Sequence, residues 1–175
     1  IKDKQHLGKK ITNRQKTIAR NHNNKVNDYL NKAARKVVDY CITNDIGTLV
    51  VGYNETFQRG SNIGKQNNQN FVNIPYGLLR SKLEYLCELN DIIFVKQEES
   101  YTSKVDHLAF EELGKHDVYL GKRKQRGLFQ SSVNKLINAD INGAIGIGRK
   151  VFGDSYVSRI IDSGLAFNPI KVNIS

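Results

Sequence analysis

Acidic side chains follow two apolar, β-rich segments of the chain, at the points where β-strands are expected to end. Glu98 and Glu99 come directly after the first segment, and Asp140 follows the second. Acids at the ends of neighbouring strands can bind hard divalent cations, and such ions catalyse phosphodiester hydrolysis. The pattern therefore predicts nuclease chemistry, with these three acids as candidate catalytic residues and metal ligands.

Each of these acids also has a purely structural interpretation. Asp140 could cap the N-terminus of the helix that follows it, and Glu98-Glu99 could be a solvated strand exit. Adjacent residues of an extended strand point to opposite faces, so at most one of the two glutamates is expected to face a metal. The sequence alone does not say which.

The chain is strongly basic, with a formal net charge of +10 over 175 residues. Eleven basic and three acidic side chains fall within residues 1–40, and a second basic cluster spans residues 121–127. Such clusters indicate a polyanionic partner, and the alternative is a solvated surface with no partner. The candidate nucleic-acid contacts are Arg35, Lys36, Lys122, Arg123, Lys124 and Arg126.

The cysteine and histidine content argues against a zinc site. Cys41 and Cys87 lie in apolar-periodic stretches, which predicts buried thiols in a reduced intracellular protein. His107 and His116 fit no metal-ligand spacing and are interpreted as exposed loop residues. No apolar run approaches the roughly 20 residues of a membrane span, so no membrane association is expected. The chain lacks Met and starts at Ile1, which indicates a piece of a longer protein.

Hydrophobic periodicity predicts the elements that position these residues. An amphipathic helix is expected over residues 26–42, followed by an apolar, β-branched strand over 48–53. A second helix should run from Pro75 to about residue 90, and a strand over 92–97 should follow. A helix over 141–151 contains glycines that weaken it on propensity, and close packing on the sheet is the expected compensation.

The remaining segments complete an α/β pattern. Residues 54–70 read as a long polar loop, and 128–130 should pair with 135–137 around a turn. A short helix is expected near 156–161. The order of helix, strand, helix, strand and helix is typical of a layered α/β domain with parallel strands, whose site lies at the strand carboxyl ends.

Three segments in the right order resemble the C-terminal half of TnpB, the OrfB-type insertion-sequence protein related to type V CRISPR effectors. They are residues 97–104 (QEESYTSK), 121–128 (GKRKQRGL) and 138–144 (NADINGA), and residues 35–53 and 66–76 also resemble it. The resemblance implies an RNase H-like (RuvC-like) layered α/β domain, incomplete because the opening strands are missing from this chain.

The resemblance also implies a function and a domain division. It implies a transposon-encoded, RNA-guided DNA endonuclease with DNA and guide RNA as partners and Mg²⁺ as cofactor, in a two-metal site and without zinc. Such a protein is prokaryotic and cytoplasmic, and associates with the nucleoid when bound to DNA. The expected division is a basic helical arm over 1–24, the RuvC-like domain over 25–153 and a tail over 154–175.

Three departures from the family pattern qualify this prediction. The family's leading catalytic Asp ends a first strand that is absent here, so this chain alone is expected to be inert. The family's Glu usually lies where this chain has Gly52, but Glu98 or Glu99, at the end of the parallel neighbour, could reach the same metal. A cysteine-free basic loop replaces the four-cysteine zinc finger before Asp140. The alternatives are a nuclease-dead relative that binds RNA and DNA, and a basic DNA-binding protein without catalytic ancestry.

Overall fold

The structure of the chain, a computed structural model, describes residues 11–54, 75–169 and 172–174. The chain divides into two compact units, a helical unit and a mixed unit. The helical unit comprises Ile1–Ile46, Pro75–Asp91 and Asn173–Ser175, and the mixed unit comprises Gly47–Ile74 and Ile92–Val172. The first ten residues of the predicted arm, and the predicted loop over 54–70 apart from Asn54, lie outside the described residues.

The helical unit pairs two helices, α1 (Asn13–Thr43) and α2 (Tyr76–Glu88). α1 begins well before residue 26 because Thr12 and Gln15 form a capping box, in which each side chain accepts a hydrogen bond from the other's backbone N–H. It runs unbroken across the boundary expected at residue 24, and the division into functional domains stays a prediction. The buried stripes of the two helices are Leu30, Ala34, Val38 and Cys41 on α1, and Leu83, Leu86 and Cys87 on α2.

A two-stranded parallel sheet carries the first predicted strands of the mixed unit. Strand β1 (Thr48–Tyr53) pairs with β2 (Ile93–Glu98), and the register places Gly52 opposite Gln97. All six residues of β1 are partly buried. The predicted α/β class and the parallel pairing are thereby confirmed.

A second, antiparallel sheet contains β3 (Lys122–Gln125), β4 (Leu128–Gln130) and β5 (Leu136–Asn138), in that order. The pairing of β4 with β5 confirms the predicted hairpin. The strand β3 was not predicted, because all four of its residues are polar and exposed. Its register with β4 shifts between Arg123 and Gln125, which leaves Lys124 as a bulged residue.

Helices α3 (Ala139–Phe152) and α4 (Asp154–Asp162) complete the mixed unit. Its core gathers buried side chains from both helices, from β4 and β5, from the segment before β3 and from the segment after α4: Leu108, Phe129, Ile137, Ala139, Ile145, Val157 and Ala166. A Cβ on Gly146 would collide with the ring of His107 and with the side chain of Thr102. Close packing at this glycine is therefore confirmed, but its partner is the segment after β2 rather than the sheet.

Candidate metal-binding and nucleic-acid-binding site

The carboxylate of Glu98, the last residue of β2, is committed to neighbouring groups. It accepts hydrogen bonds from the Ser100 backbone N–H (2.7 Å) and from the Ser100 hydroxyl, and its other oxygen lies 3.2 Å from Lys150 Nζ. The Ser100 hydrogen bonds, together with the bond and charge of Lys150, hold the pKa of the Glu98 carboxyl below its ordinary value. Glu98 therefore stays ionised and fixes the turn that follows the strand.

Lys150, near the end of α3, clamps the same turn through the backbone. Its ammonium donates to the carbonyl oxygens of Glu98 (3.0 Å) and Ser100 (2.9 Å), in addition to the Glu98 carboxylate. Three contacts from one partly buried cation hold the two residues that flank Glu99. No local sequence signal marks this role, since Lys150 lies 50 residues or more from its partners.

The carboxylate of Glu99 takes a different position, above the end of β1. Its Oε2 lies 2.6 Å from the place where a Cβ on Gly52 would be, and Ile147 Cδ1 of α3 lies at the same distance from that place. The Glu99 carboxylate makes no hydrogen bond or ion pair with any residue of the described ranges. The two glutamates that the sequence could not separate thus differ in their surroundings.

Asp140 stands in the first turn of α3 without capping it. Asn138 is the N-cap, and its Oδ1 accepts hydrogen bonds from the backbone N–H groups of Asp140 (2.8 Å) and Ile141 (3.2 Å). The capping alternative for Asp140 is therefore wrong, and its side chain is exposed. Asp140 lies seven residues before Ile147, on the same face of the helix and about 10.5 Å along its axis.

The described residues contain no group of three His, Cys, Asp or Glu side chains arranged to hold a metal ion. Glu99 and Asp140 are two separate acids on one side of α3, and Glu98 is engaged with Lys150. The metal-ligand and catalytic roles of all three acids stay a prediction.

Four of the six candidate nucleic-acid contacts line one of two grooves. Lys122 and Lys124 line a groove of about 470 Å³ beside β3, whereas Arg123 and Arg126 of the same loop do not. In the helical unit, a second groove of about 680 Å³ is lined by basic side chains of both helices: Lys32, Arg35, Lys36 and Lys82. Contact with nucleic acid at any of these residues stays a prediction.

A buried carboxylate that the sequence did not reveal joins the segment after β2 to the turn after β4. Asp106 is fully buried, and its Oδ2 accepts hydrogen bonds from the Ser131 hydroxyl (2.9 Å), the Ser132 backbone N–H (2.7 Å) and the Ser132 hydroxyl (2.9 Å). We call this set the Asp106 clasp. It lies between Lys104 and Asp140, where the resemblance places a four-cysteine zinc finger. Since this stretch contains no cysteine, its residues do not fit such a zinc site.

Further buried polar groups extend the clasp. Glu111 accepts from the backbone N–H groups of Asp106 (2.6 Å) and Leu120 (2.7 Å), and Arg149 Nη1 donates to the Glu111 carbonyl (2.6 Å). His107 is fully buried and bonded through Nε2 to the Thr102 carbonyl, so its interpretation as an exposed loop histidine is wrong. Burial lowers the pKa of His107, which keeps the ring neutral.

Comparison with known families places these residues in context. Residues 1–58 match the OrfB_IS605 family model, described as a probable transposase, and residues 76–147 match the Cas12f1-like TNB domain. Together the two matches support a TnpB-like protein. No curated protein matches the chain.

The matches to TnpB-like families also indicate the class of partner, which is nucleic acid. The second match contains Glu98, Glu99, Asp140, the basic loop and the Asp106 clasp, and families of this kind act with nucleic acids. No helix of the described ranges is long and apolar enough to cross a membrane.

Proposed function

We propose that this TnpB-like chain carries part of a metal-dependent DNA endonuclease, a RuvC-like domain of RNase H fold within an RNA-guided, transposon-encoded protein. The observation that supports it most directly is the Glu99 carboxylate above Gly52. The resemblance expects an acid at position 52, and Glu99 offers one at that place from the neighbouring parallel strand. An acid moved between adjacent strands keeps its position in space while it changes its position in the sequence.

Glu99, rather than Glu98, is the metal ligand in this proposal. A ligand needs free lone pairs, and the Glu98 carboxylate already serves Ser100 and Lys150. Lys150 also places a positive charge beside Glu98, which disfavours a cation there. Glu98 and Lys150 therefore act as positioning residues that hold the turn in which Glu99 stands.

Glu99 and Asp140 would hold Mg²⁺, together with the acid that the resemblance expects on the leading strand. Carboxylate oxygens are the donors that Mg²⁺ prefers, and neither carboxylate is occupied by another described residue, so both acids are chemically suited as ligands. The bound ion would activate water and stabilise charge on the phosphate. The exposed side chain of Asp140 leaves that acid open to a substrate from solvent.

The decisive experiment is cleavage of target DNA by the full-length protein with guide RNA and Mg²⁺. Asp140→Asn removes a charge without changing size, and Asp117→Asn makes the same change at an exposed aspartate of the loop before β3. We expect Asp140→Asn to slow cleavage by more than about 100-fold, beyond the 10–100-fold that supporting groups of metal ligands cost. Asp117→Asn should leave the rate unchanged.

DNA binding, measured in parallel without Mg²⁺, separates the two main alternatives. Binding by Asp140→Asn that matches wild type, with cleavage lost, agrees with the proposal. Unchanged cleavage in Asp140→Asn would show that the acid has no catalytic role. A wild-type protein that binds but never cleaves would identify a nuclease-dead binding module.

A single added methyl group tests the placement of Glu99. In Gly52→Ala the new Cβ would lie 2.6 Å from Glu99 Oε2 and from Ile147 Cδ1, two flexible side-chain ends that can move aside. We expect the melting temperature to change little and cleavage to fall by about 10- to 100-fold, because small displacements of a reacting group are costly. Gly47→Ala, where no atom lies within 4 Å of the new Cβ, is the matched control. Equal cleavage by both variants would rule out a catalytic Glu99 at this position.

A further inference from the structure

The turn that carries Glu99 is closed by Thr102, three residues further along the chain. The Thr102 hydroxyl (2.9 Å) and backbone N–H (3.3 Å) both donate to the carbonyl oxygen of Glu99. The carbonyl oxygen of Thr102 in turn lies 2.7 Å from Nε2 of His107. Because a carbonyl oxygen can only accept, Nε2 carries the proton and donates. The backbone of Glu99 is therefore connected to the His107 ring through Thr102.

The ring of His107 is fully buried and packs against the backbone of α3. A Cβ on Gly146 would overlap the ring and the Thr102 side chain, so glycine leaves both the room they need. One turn earlier on the same face of α3, the amide of Asn142 donates to the carbonyl oxygen of Val105 (2.9 Å). The segment from Thr102 to His107 is thus fixed to one face of the helix. We call the contact of Thr102 and His107 with Gly146 the α3 lock.

The helix α3 also carries Asp140, in its first turn. Asp140 lies six residues before Gly146, about 9 Å along the helix axis at 1.5 Å per residue. Both proposed metal ligands are therefore fixed to one rigid element, Asp140 directly and Glu99 through the α3 lock. A shift of the lock would move the backbone of Glu99 relative to Asp140 without altering either carboxylate.

We propose that His107 is a positioning residue, which places Glu99 relative to Asp140 by holding the Glu99 turn against α3. This inference rests on the proposed function, since it takes the two acids as ligands of one metal site. A histidine is suited to this role because its flat ring fits against a glycine while its N–H fixes the Thr102 carbonyl. An apolar side chain of similar size would fill the same space without restraining the turn.

The test compares variants of the full-length protein with guide RNA. His107→Leu removes the donor and keeps an apolar side chain in the core, whereas His107→Gln supplies an amide N–H in its place. His116→Leu is the matched control, because Nε2 of His116 also lies 2.7 Å from a backbone carbonyl, that of Glu112, but in an exposed loop. Hydrogen exchange in Mg²⁺-free buffer follows the turn peptide over 99–104. Cleavage of target DNA gives the Mg²⁺ concentration at half-maximal rate.

We expect His107→Leu to speed exchange of the turn peptide by about 2- to 10-fold, as the loss of one hydrogen bond would. A peptide that contains β4 should keep its wild-type exchange rate. The Mg²⁺ concentration at half-maximal rate should rise by about 10-fold, the lower end of what groups that support metal ligands cost. His107→Gln should lie close to wild type in both measurements, and His116→Leu should equal wild type.

A second pair of variants shifts the α3 lock from the helix side and keeps the histidine. Gly146→Ala adds a Cβ that overlaps the His107 ring, whereas Gly143→Ala adds one whose nearest neighbour, Ser103 Cβ, lies 3.9 Å away. Both variants replace a glycine inside α3, so their effects on helix propensity match. Only Gly146→Ala should raise the Mg²⁺ concentration at half-maximal rate.

Three results would contradict the inference. Unchanged exchange of the turn peptide in His107→Leu would overturn the lock itself. Faster exchange with an unchanged Mg²⁺ requirement, or equal Mg²⁺ requirements of the two glycine variants, would show that His107 stabilises the turn without positioning Glu99. A wild-type protein that cleaves at no Mg²⁺ concentration would overturn the proposed function, and with it the role of His107 in the reaction, even where the exchange data confirm the lock.

Discussion

Glu99→Gln is expected to reduce cleavage by the full-length protein more than about 100-fold, whereas Glu98→Gln should cost no more than the 10–100-fold typical of groups that support a ligand. The two substitutions are chemically identical and lie on adjacent residues. Their expected effects on cleavage differ because Glu98 is held by Ser100 and Lys150, whereas the Glu99 carboxylate above Gly52 has no partner among the described residues. Initial cleavage rates at saturating Mg²⁺ measure both effects.

Glu112→Gln is the control, because it removes one negative charge from an exposed glutamate outside the site. Its cleavage rate should equal that of wild type. If Glu98→Gln proves as damaging as Glu99→Gln, or more so, then Glu98 is the ligand and its contact with Lys150 must break when the metal binds. If all three variants cleave like wild type, neither vicinal glutamate takes part in the reaction.

Asp106→Ala is expected to lower the free energy of unfolding by about 3 kcal/mol or more, because it leaves buried hydrogen-bond donors without an acceptor. Asp106 is fully buried, and three donors from Ser131 and Ser132 converge on one of its oxygens. Hydrogen bonds to a charged acceptor contribute about 1.5–3 kcal/mol each, though neighbouring bonds do not add fully. Urea denaturation followed by circular dichroism measures the loss.

Asp117→Ala is the matched control, since it removes the same group from an exposed position of the same loop. Its free energy of unfolding should stay within about 0.5 kcal/mol of wild type. A similar value for Asp106→Ala would mean that the clasp does not stabilise the mixed unit. Asp106→Asn, which keeps the shape and one acceptor, should fall between the two.

Elements with a regular buried face could be predicted from the sequence. The helices α2 and α3 bury apolar side chains at helix spacing, and the apolar strands β1 and β2 are partly buried; all four were found near their predicted bounds. The strand β3 has no apolar residue, so only its pairing with β4 makes it a strand.

The site was predicted only in outline. The sequence identified Glu98, Glu99 and Asp140 because acids follow apolar segments, but vicinal glutamates look alike until their partners are known. Asp106 and Lys150 were missed for a related reason. Their hydrogen bonds reach residues 25 to 52 positions away, and no local pattern encodes such a contact.

The contact between Gly52 and Glu99 constrains how this site can evolve. The Glu99 carboxylate fills the space that a side chain at position 52 would need, so an acid at position 52 would displace it. A lineage that transfers its acid between the strands must pass through a state with two crowded carboxylates or with none. The two substitutions are therefore epistatic, and related sequences should carry an acid at one of these positions but not at both.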